Sequence, residues 1–245
     1  MNPRVTEERY RVKYYELTRN WKASVASIMD YFNDVVTLQS VEVGHDVETM
    51  RFSGYAWLLL RWEIDIQRSP AFMENLNVRT VPYSMNKFYA YRRFEVIDDS
   101  GALIVHGKSQ WILIDASRRR PVRIADRHYE VYGLSKDFNE PLKFEDPPEP
   151  GKSDLSTVLK VRESDLDTNG HANNVSYVRW IMQTVPGDFE SKELKKLCIQ
   201  YKHESMKGEE VLVESGFEDL DGLKIGLHRI TSSGKKLAIA CTKWL

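Results

Sequence analysis

Cysteine is scarce. The chain of 245 residues has two, Cys198 and Cys241, and no C-x-x-C spacing. That argues against a disulfide framework or a zinc ribbon and predicts two buried free thiols. Long apolar runs are missing too. The longest, residues 56–60 (Ala-Trp-Leu-Leu-Leu), is far short of the roughly 20 residues that cross a bilayer. Excess charge of either sign is absent, with 35 Lys and Arg against 36 Asp and Glu. A globally basic nucleic-acid-coating protein is therefore excluded, and only local basic patches remain open. There is no G-x-G-x-x-G and no phosphate-binding loop, so no cofactor and no metal is expected. Residues 1–14 mix both charge signs around no apolar centre. They read neither as a secretory signal nor as an Arg-rich, acid-poor transit peptide, and a cytoplasmic location follows as the expectation.

What is present is an ordinary globular composition, 42% hydrophobic and 29% charged. At about 150 residues per domain, the length fits one large domain or two small ones. Residues 10–15 read as a first strand. A helix follows in which Trp21, Val25, Ile28, Met29, Phe32, Val35 and Val36 form one stripe, with Asn20 as its expected cap. Strand patterns then occupy residues 56–66, 77–83, 87–97 and 102–115. Residues 133–153 hold four prolines and an acidic cluster and read as a linker. Afterwards the pattern restarts: a strand at 157–161, a helix at 174–185, and strands at 194–203, 210–218, 223–230 and 236–244. One supersecondary pattern thus occurs twice, about 150 residues apart, with no obvious residue-level repeat. The expected fold class is α+β, with a curved antiparallel sheet wrapped around a central helix in each half and the two sheets paired edge to edge.

The chemistry is concentrated in one stretch. Asp165, Asp167, Asn169, His171, Asn173 and Asn174 fall within ten residues, immediately before the second helix. Asp and Asn favour turns and helix caps, so such a loop has an ordinary structural explanation. Its position adds another. Unpaired N–H groups at a helix start can hold a developing oxyanion, and a His with carboxylates can move protons or activate water.

At these residues the sequence resembles the acyl-acyl carrier protein (ACP) thioesterase family of the hotdog-fold superfamily, as a bacterial member akin to the plant FatA and FatB enzymes. The family's DLD-x-N-x-H-x-NN-x-x-Y segment is matched by Asp165-Leu166-Asp167-Thr168-Asn169-Gly170-His171-Ala172-Asn173-Asn174 through Tyr177. The resemblance implies a tandem hotdog: residues 1–132 an N-terminal half holding the acyl tunnel, 133–153 a linker, and 154–245 a catalytic half. It implies catalytic roles for Asp167, Asn169, His171 and Glu204, the last in a Tyr201-Lys-His-Glu-Ser205 segment where the family often carries Cys after the acidic residue. Ser205 at that place argues against an obligatory thiol nucleophile. In a regular strand, Glu204 would share a face with Cys198, Gln200 and Lys202, so a bulge or a strand end is needed to aim it at the site.

The implied reaction is hydrolysis of a fatty acyl-ACP thioester to free fatty acid and ACP, ending fatty acid synthesis. Glu204 or His171 would be the general base, Asp167 would orient His171, and Asn169 would position substrate or water. Asn174, Trp57, Trp62 and Arg61 are the candidate substrate-binding residues. The implied partner is an acyl carrier protein bearing a fatty acyl-phosphopantetheine, with neither nucleic acid nor stable membrane insertion. Its acidic surface calls for a basic patch, either Arg118-Arg119-Arg120 with Arg123 and Arg127, or Lys192, Lys195 and Lys196. A homodimer is consistent with the resemblance, and so is a monomer of doubled halves. An acyl-CoA thioesterase of the same fold and a non-catalytic acyl-binding module are the rival readings.

Overall fold

The computed structural model describes residues 2–189 and 192–245. Its elements are β1 (Thr6–Arg11), α1 (Val25–Glu42), α2 (Val47–Phe52), β2 (Tyr55–Ile66), β3 (Asn75–Asn86), β4 (Tyr89–Asp98), β5 (Leu103–Asp115), β6 (Arg120–Pro121) and α3 (Asp126–Val131). After a long stretch without helix or strand come β7 (Leu155–Lys160), α4 (Asn174–Met182), β8 (Leu194–Tyr201), β9 (Glu210–Leu220), β10 (Leu223–Ser232) and β11 (Lys235–Trp244).

The strands form one antiparallel sheet in the order β1-β3-β4-β5-β2-β8-β11-β10-β9-β7, with β6 pairing β5. Read outwards from the centre, β2-β5-β4-β3-β1 and β8-β11-β10-β9-β7 are the same arrangement used twice. They meet where β2 pairs β8, with Arg61 opposite Gln200 and Trp62 opposite Ile199. That pairing covers two edges that would otherwise present unpaired backbone groups.

Helix α1 packs on β1 and β3, α4 packs on β9, and the two helices touch. Arg179 on α4 reaches Asp30 on α1 at 2.6 Å. Trp21, 59% exposed, lies in the turn before α1. Most of the stripe expected on the helix is buried, and Ile28, Met29, Phe32 and Val35 have no exposed surface. Each contributes about 1.5–3 kcal/mol by leaving water. The cap differs from the expected Asn20. Ser24 accepts from the Ser27 N–H at 3.0 Å, so the helix begins after the turn that holds Asn20.

That turn reveals a residue-level repeat after all. Leu17 bridges Ala23, and 149 residues on Leu166 bridges Ala172. In the first turn the Thr18 N–H donates to Lys22 O at 2.8 Å; in the second the Asp167 N–H donates to His171 O at 2.8 Å. Ser27 Oγ donates to Glu16 O, and Ser176 Oγ donates to Asp165 O, both at 2.9 Å. Only L-x-x-N-x-x-A is common to the two turns, too little to register as a repeat.

Residues 135–153 contain no helix or strand, yet they are firmly attached. Asp146 pairs with Arg61 of β2, Glu145 with Lys196 of β8 and Lys243 of β11, and Glu149 with Arg229 of β10 and Lys236 of β11. The acidic cluster therefore straps both halves of the sheet. Its buried anchor is Glu63, 3% exposed, which accepts from the Glu145 N–H at 2.9 Å and meets Lys108 and Lys196. Burial would raise the Glu63 carboxyl, but the amide and the two ammonium groups hold it below the ordinary range.

Cys198 and Cys241 are free, buried and opposite each other on β8 and β11. Burial pushes the Cys198 thiol up to about 12.

Candidate active site

The segment before α4 is built around the Asp167 carboxylate. Its Oδ1 accepts from the Asn169 N–H at 2.8 Å and the His171 N–H at 3.1 Å. The turn closes through the Gly170 N–H donating to Asp167 O at 3.1 Å. Gly170 has φ +80, a conformation that costs glycine little and other residues more. Asp167 thus fixes the backbone that carries His171; its carboxylate bonds the peptide rather than the imidazole.

Asn173 caps α4, accepting from the Val175 N–H at 2.9 Å. Neighbouring N–H groups are also used: His171 to Asp167, Ala172 to Ser205, Asn173 to Asp165 and Ser176 to Asn173. Among the described residues, only the Asn174 N–H of this run lacks an acceptor. The helix start therefore presents one N–H to a ligand at its positive dipole end.

Glu204 lies beyond the end of β8 at Tyr201, so the face rule for a continuous strand does not bind it. The loop is held by bonds on both sides: the Ala172 N–H donates to Ser205 O at 2.8 Å, and Tyr177 Oη donates to His203 O at 3.4 Å. Glu204 Oε2 then sits 3.7 Å from His171 Nε2. The same carboxylate pairs with Arg119, from the turn between β5 and β6 in the first half. Ser205 is fully buried and donates to Glu209 at 2.8 Å, a structural role.

A cavity of about 730 Å³ opens at this cluster. Asp167, Asn169, His171, Asn174 and Glu204 line it at the mouth. Tyr177 and Tyr201 form its wall beside α4, and Tyr201 Oη donates to Asn174 O at 3.0 Å. The cavity continues into the first half past Leu59 and Trp57 to Met85, Arg92 and Tyr132.

Of the residues expected to meet substrate, Trp57 and Asn174 face this cavity, whereas Trp62 and Arg61 do not. A bulge after Leu59 interrupts the regular pairing of β2 with β5. Beyond it Trp62, 1% exposed, stacks on Phe32 at 5.7 Å in the core, and Arg61 turns out to Asp146.

Sequence models of the acyl-ACP thioesterase N-terminal and C-terminal domains match residues 3–132 and 149–245. The chain belongs to the acyl-ACP thioesterase family. Among curated relatives, an oleoyl-acyl carrier protein thioesterase of Arabidopsis thaliana chloroplasts is 26% identical over 81% of this chain and 59% of its own length. The chain thus spans about three fifths of the curated relative it matches. Among solved structures, the 12:0-ACP thioesterase from Umbellularia californica has a TM-score of 0.82 at 21% identity, covering 98% of this chain and 97% of that one. An acyl-ACP thioesterase from Bacteroides thetaiotaomicron has a TM-score of 0.85 at 18% identity, each chain covered to 98%. No helix among the described residues is long and apolar enough to cross a membrane.

Two features of this acyl-ACP thioesterase family member escape sequence reading. One is Arg119, which reaches Glu204 across the two halves; nothing in a run of three arginines singles out the middle one. The other concerns the second lysine patch. Lys196 is held by Glu63, Asp65 and Glu145, and Lys195 by Glu193, so these lysines serve the fold. Arg118, Arg119, Arg120, Arg123 and Arg127 are all exposed.

Proposed function

We propose that this chain is a tandem hotdog enzyme that hydrolyses fatty acyl-ACP thioesters to fatty acid and ACP. In this reading residues 1–132 supply the acyl tunnel, 154–245 the catalytic half, and 133–153 the connection. The observation that carries the reading is the convergence of His171, Glu204 and the unengaged Asn174 N–H at the mouth of one cavity that runs into the other half. The matching turn of the first half supports a single centre per chain: Thr18 and Lys22 stand where the second turn has Asp167 and His171.

The separation of 3.7 Å between His171 Nε2 and Glu204 Oε2 is one that a water can bridge. Glu204, an acceptor on both oxygens, removes a proton from that water as it attacks the thioester carbonyl. The Asn174 N–H, at the positive end of α4, stabilises the oxyanion. When the tetrahedral species collapses, the carbon–sulfur bond breaks and the proton returns through Glu204 and His171 to the departing thiolate. Asp167 positions His171, and Asn169 lines the water's approach. Ser205 takes no part.

The carrier supplies the acidic partner. Arg118, Arg120, Arg123 and Arg127 are exposed on the same half as Arg119, whose side chain reaches the mouth. A carrier docked there would deliver its phosphopantetheine arm at the cluster. Thiol release from matched acyl-ACP and acyl-CoA series tests the proposal. Turnover of acyl-ACP, with acyl-CoA slower, is expected. Equal turnover of both would remove the carrier from the account, and no release from either would remove the hydrolysis.

A further inference from the structure

A thioester has two sides, and the cavity takes only one of them. With the acyl chain running inwards past Leu59 and Trp57, the carbonyl lies at His171, Glu204 and the Asn174 N–H, and the thiol side leaves through the mouth. Arg119 lines that mouth. Its Nη2 donates to Glu204 Oε2, the oxygen that lies 3.7 Å from His171 Nε2. A well-organised turn brings it there. Asp115 Oδ1 accepts from the Ser117 and Arg118 N–H groups, both at 2.9 Å, and from Ser117 Oγ at 2.6 Å. Arg119 follows at φ +50, and Arg120 pairs back with Asp115. Glycine or asparagine fills such a position at less cost, and strained positions of this kind gather at ligand clamps.

Holding Glu204 uses little of what the side chain offers. A guanidinium carries five N–H donors in one plane and no acceptor. The Nε and Nη1 groups of Arg119 have no acceptor among the described residues, and the side chain is 58% exposed. An ion pair this exposed contributes little by itself. The spare donors suit an acceptor on the substrate, and its place can be worked out. A hydrogen bond from Glu204 to the attacking water, followed by the attack distance, puts the reacting carbon about 6 Å from Glu204 Oε2. Because the guanidinium shares that oxygen, the substrate atoms within its reach are the first few beyond the sulfur. In a pantetheine arm these are two methylenes and an amide, whose carbonyl is the first acceptor after the thioester. The phosphate at the far end of the arm is out of range.

We propose that Arg119 is a substrate-binding residue for the thiol side of the thioester: it donates through Nε or Nη1 to the first amide carbonyl of the pantetheine arm while Nη2 keeps hold of Glu204. This deepens the thioesterase reading and rests on it, because Glu204 marks the reacting centre. One side chain, supplied by the first half, then sets the arm and the base relative to each other. The preferred substrates are thioesters of thiols that carry an amide at this spacing, with or without a carrier protein behind it.

The test compares two small thioesters of one fatty acid. N-acetylcysteamine carries the amide of the arm; 1-pentanethiol has the same length without it. The kcat/KM of the first is expected to exceed that of the second by about tenfold, the worth of one hydrogen bond from a charged donor. Arg119→Met keeps the stem and removes every donor, and should bring that ratio close to one, whatever it does to absolute rates through Glu204. Equal turnover of the two thioesters by the wild type overturns the assignment while leaving the thioesterase standing. So does an Arg119→Met variant that slows both by the same factor, since Arg119 then serves Glu204 alone. If no thioester is cleaved, the hydrolytic reading fails instead. Calorimetry with the uncleavable thioether analogues then decides the subsite: tighter binding of the amide-bearing analogue by the wild type, lost in Arg119→Met, is expected, and equal binding by the wild type overturns it.

Discussion

Replacing Asp167 separates positioning from chemistry. Its carboxylate accepts from two backbone N–H groups, at 2.8 and 3.1 Å, in a solvent-exposed turn. At the lower end of the range for charged acceptors, the two bonds together stabilise the turn by about 3 kcal/mol. Asp167→Ala removes both. The turn can open locally, so the melting temperature should change little. His171 then loses its fixed place beside Glu204, and kcat should fall by up to about 100-fold, since a misplaced catalytic group costs on that order. Asp167→Asn keeps an acceptor oxygen at the same place. Charge-assisted bonds are about twice as strong as neutral ones, so roughly half of the stabilisation survives and the loss should be about tenfold. Thiol release from acyl-ACP, with a thermal melt of each variant, provides the assay. If Asp167→Asn is as damaging as Asp167→Ala, the negative charge itself acts in the reaction and the positioning argument is wrong. Full activity of Asp167→Ala would refute it from the other side.

Three further predictions follow from particular contacts. His228 is fully buried between Ser215 and Thr242, and burial pushes it down to about 3. The unfolded chain therefore binds one more proton as pH falls from about 6.5 towards 3, and stability is lost at up to about 1.4 kcal/mol per pH unit. Urea unfolding at pH 7 and pH 5 should show a loss about 2 kcal/mol larger for the wild type than for His228→Gln; equal losses would refute the assignment. Glu63→Ala should destabilise the chain by about 2 kcal/mol in urea, since Lys108 and Lys196 lose a buried partner but can still reach water. A change under about 0.5 kcal/mol would mean that the strap's anchor holds nothing. Arg118→Glu with Arg123→Glu should lower kcat/KM on acyl-ACP about tenfold, reduce its salt dependence, and leave acyl-CoA turnover alone. Equal effects on both substrates would place carrier docking elsewhere.

Much of the fold was legible because periodicity and burial agree. The stripe on α1 and the loose alternation over residues 87–97 follow from side chains that face a core, with Phe94 and Val96 in the cluster that α1 joins and Ala90 in a second one. The first strand was misplaced for the opposite reason. β1 is an edge strand with Thr6 alone buried, so its pattern is polar. Tyr14 and Tyr15, which looked like strand residues, are 72% and 83% exposed after the chain has turned away. The six-residue helices α2 and α3 are too short to show a period. Local density of polar residues pointed to Asp167, Asn169, His171 and Asn174, which line one cavity in the folded chain. Glu204 needed the resemblance, because whether it faces the cavity depends on where β8 ends. Trp62 and Arg61 were misjudged because a bulge in β2 changes the face on which following residues fall. Of the cavity wall in the first half, only Trp57 stood out in the sequence, because Met85, Arg92 and Tyr132 come from separate parts of the chain and meet only once it is folded.

The account rests on Glu204 as the group that activates water. Its most direct test is single-turnover thiol release from acyl-ACP by wild type and by Glu204→Gln, which keeps the shape and removes the base. The account predicts normal acyl-ACP binding by the variant with a rate lower by about 10²–10⁴. A variant that cleaves acyl-ACP at the wild-type rate would contradict it.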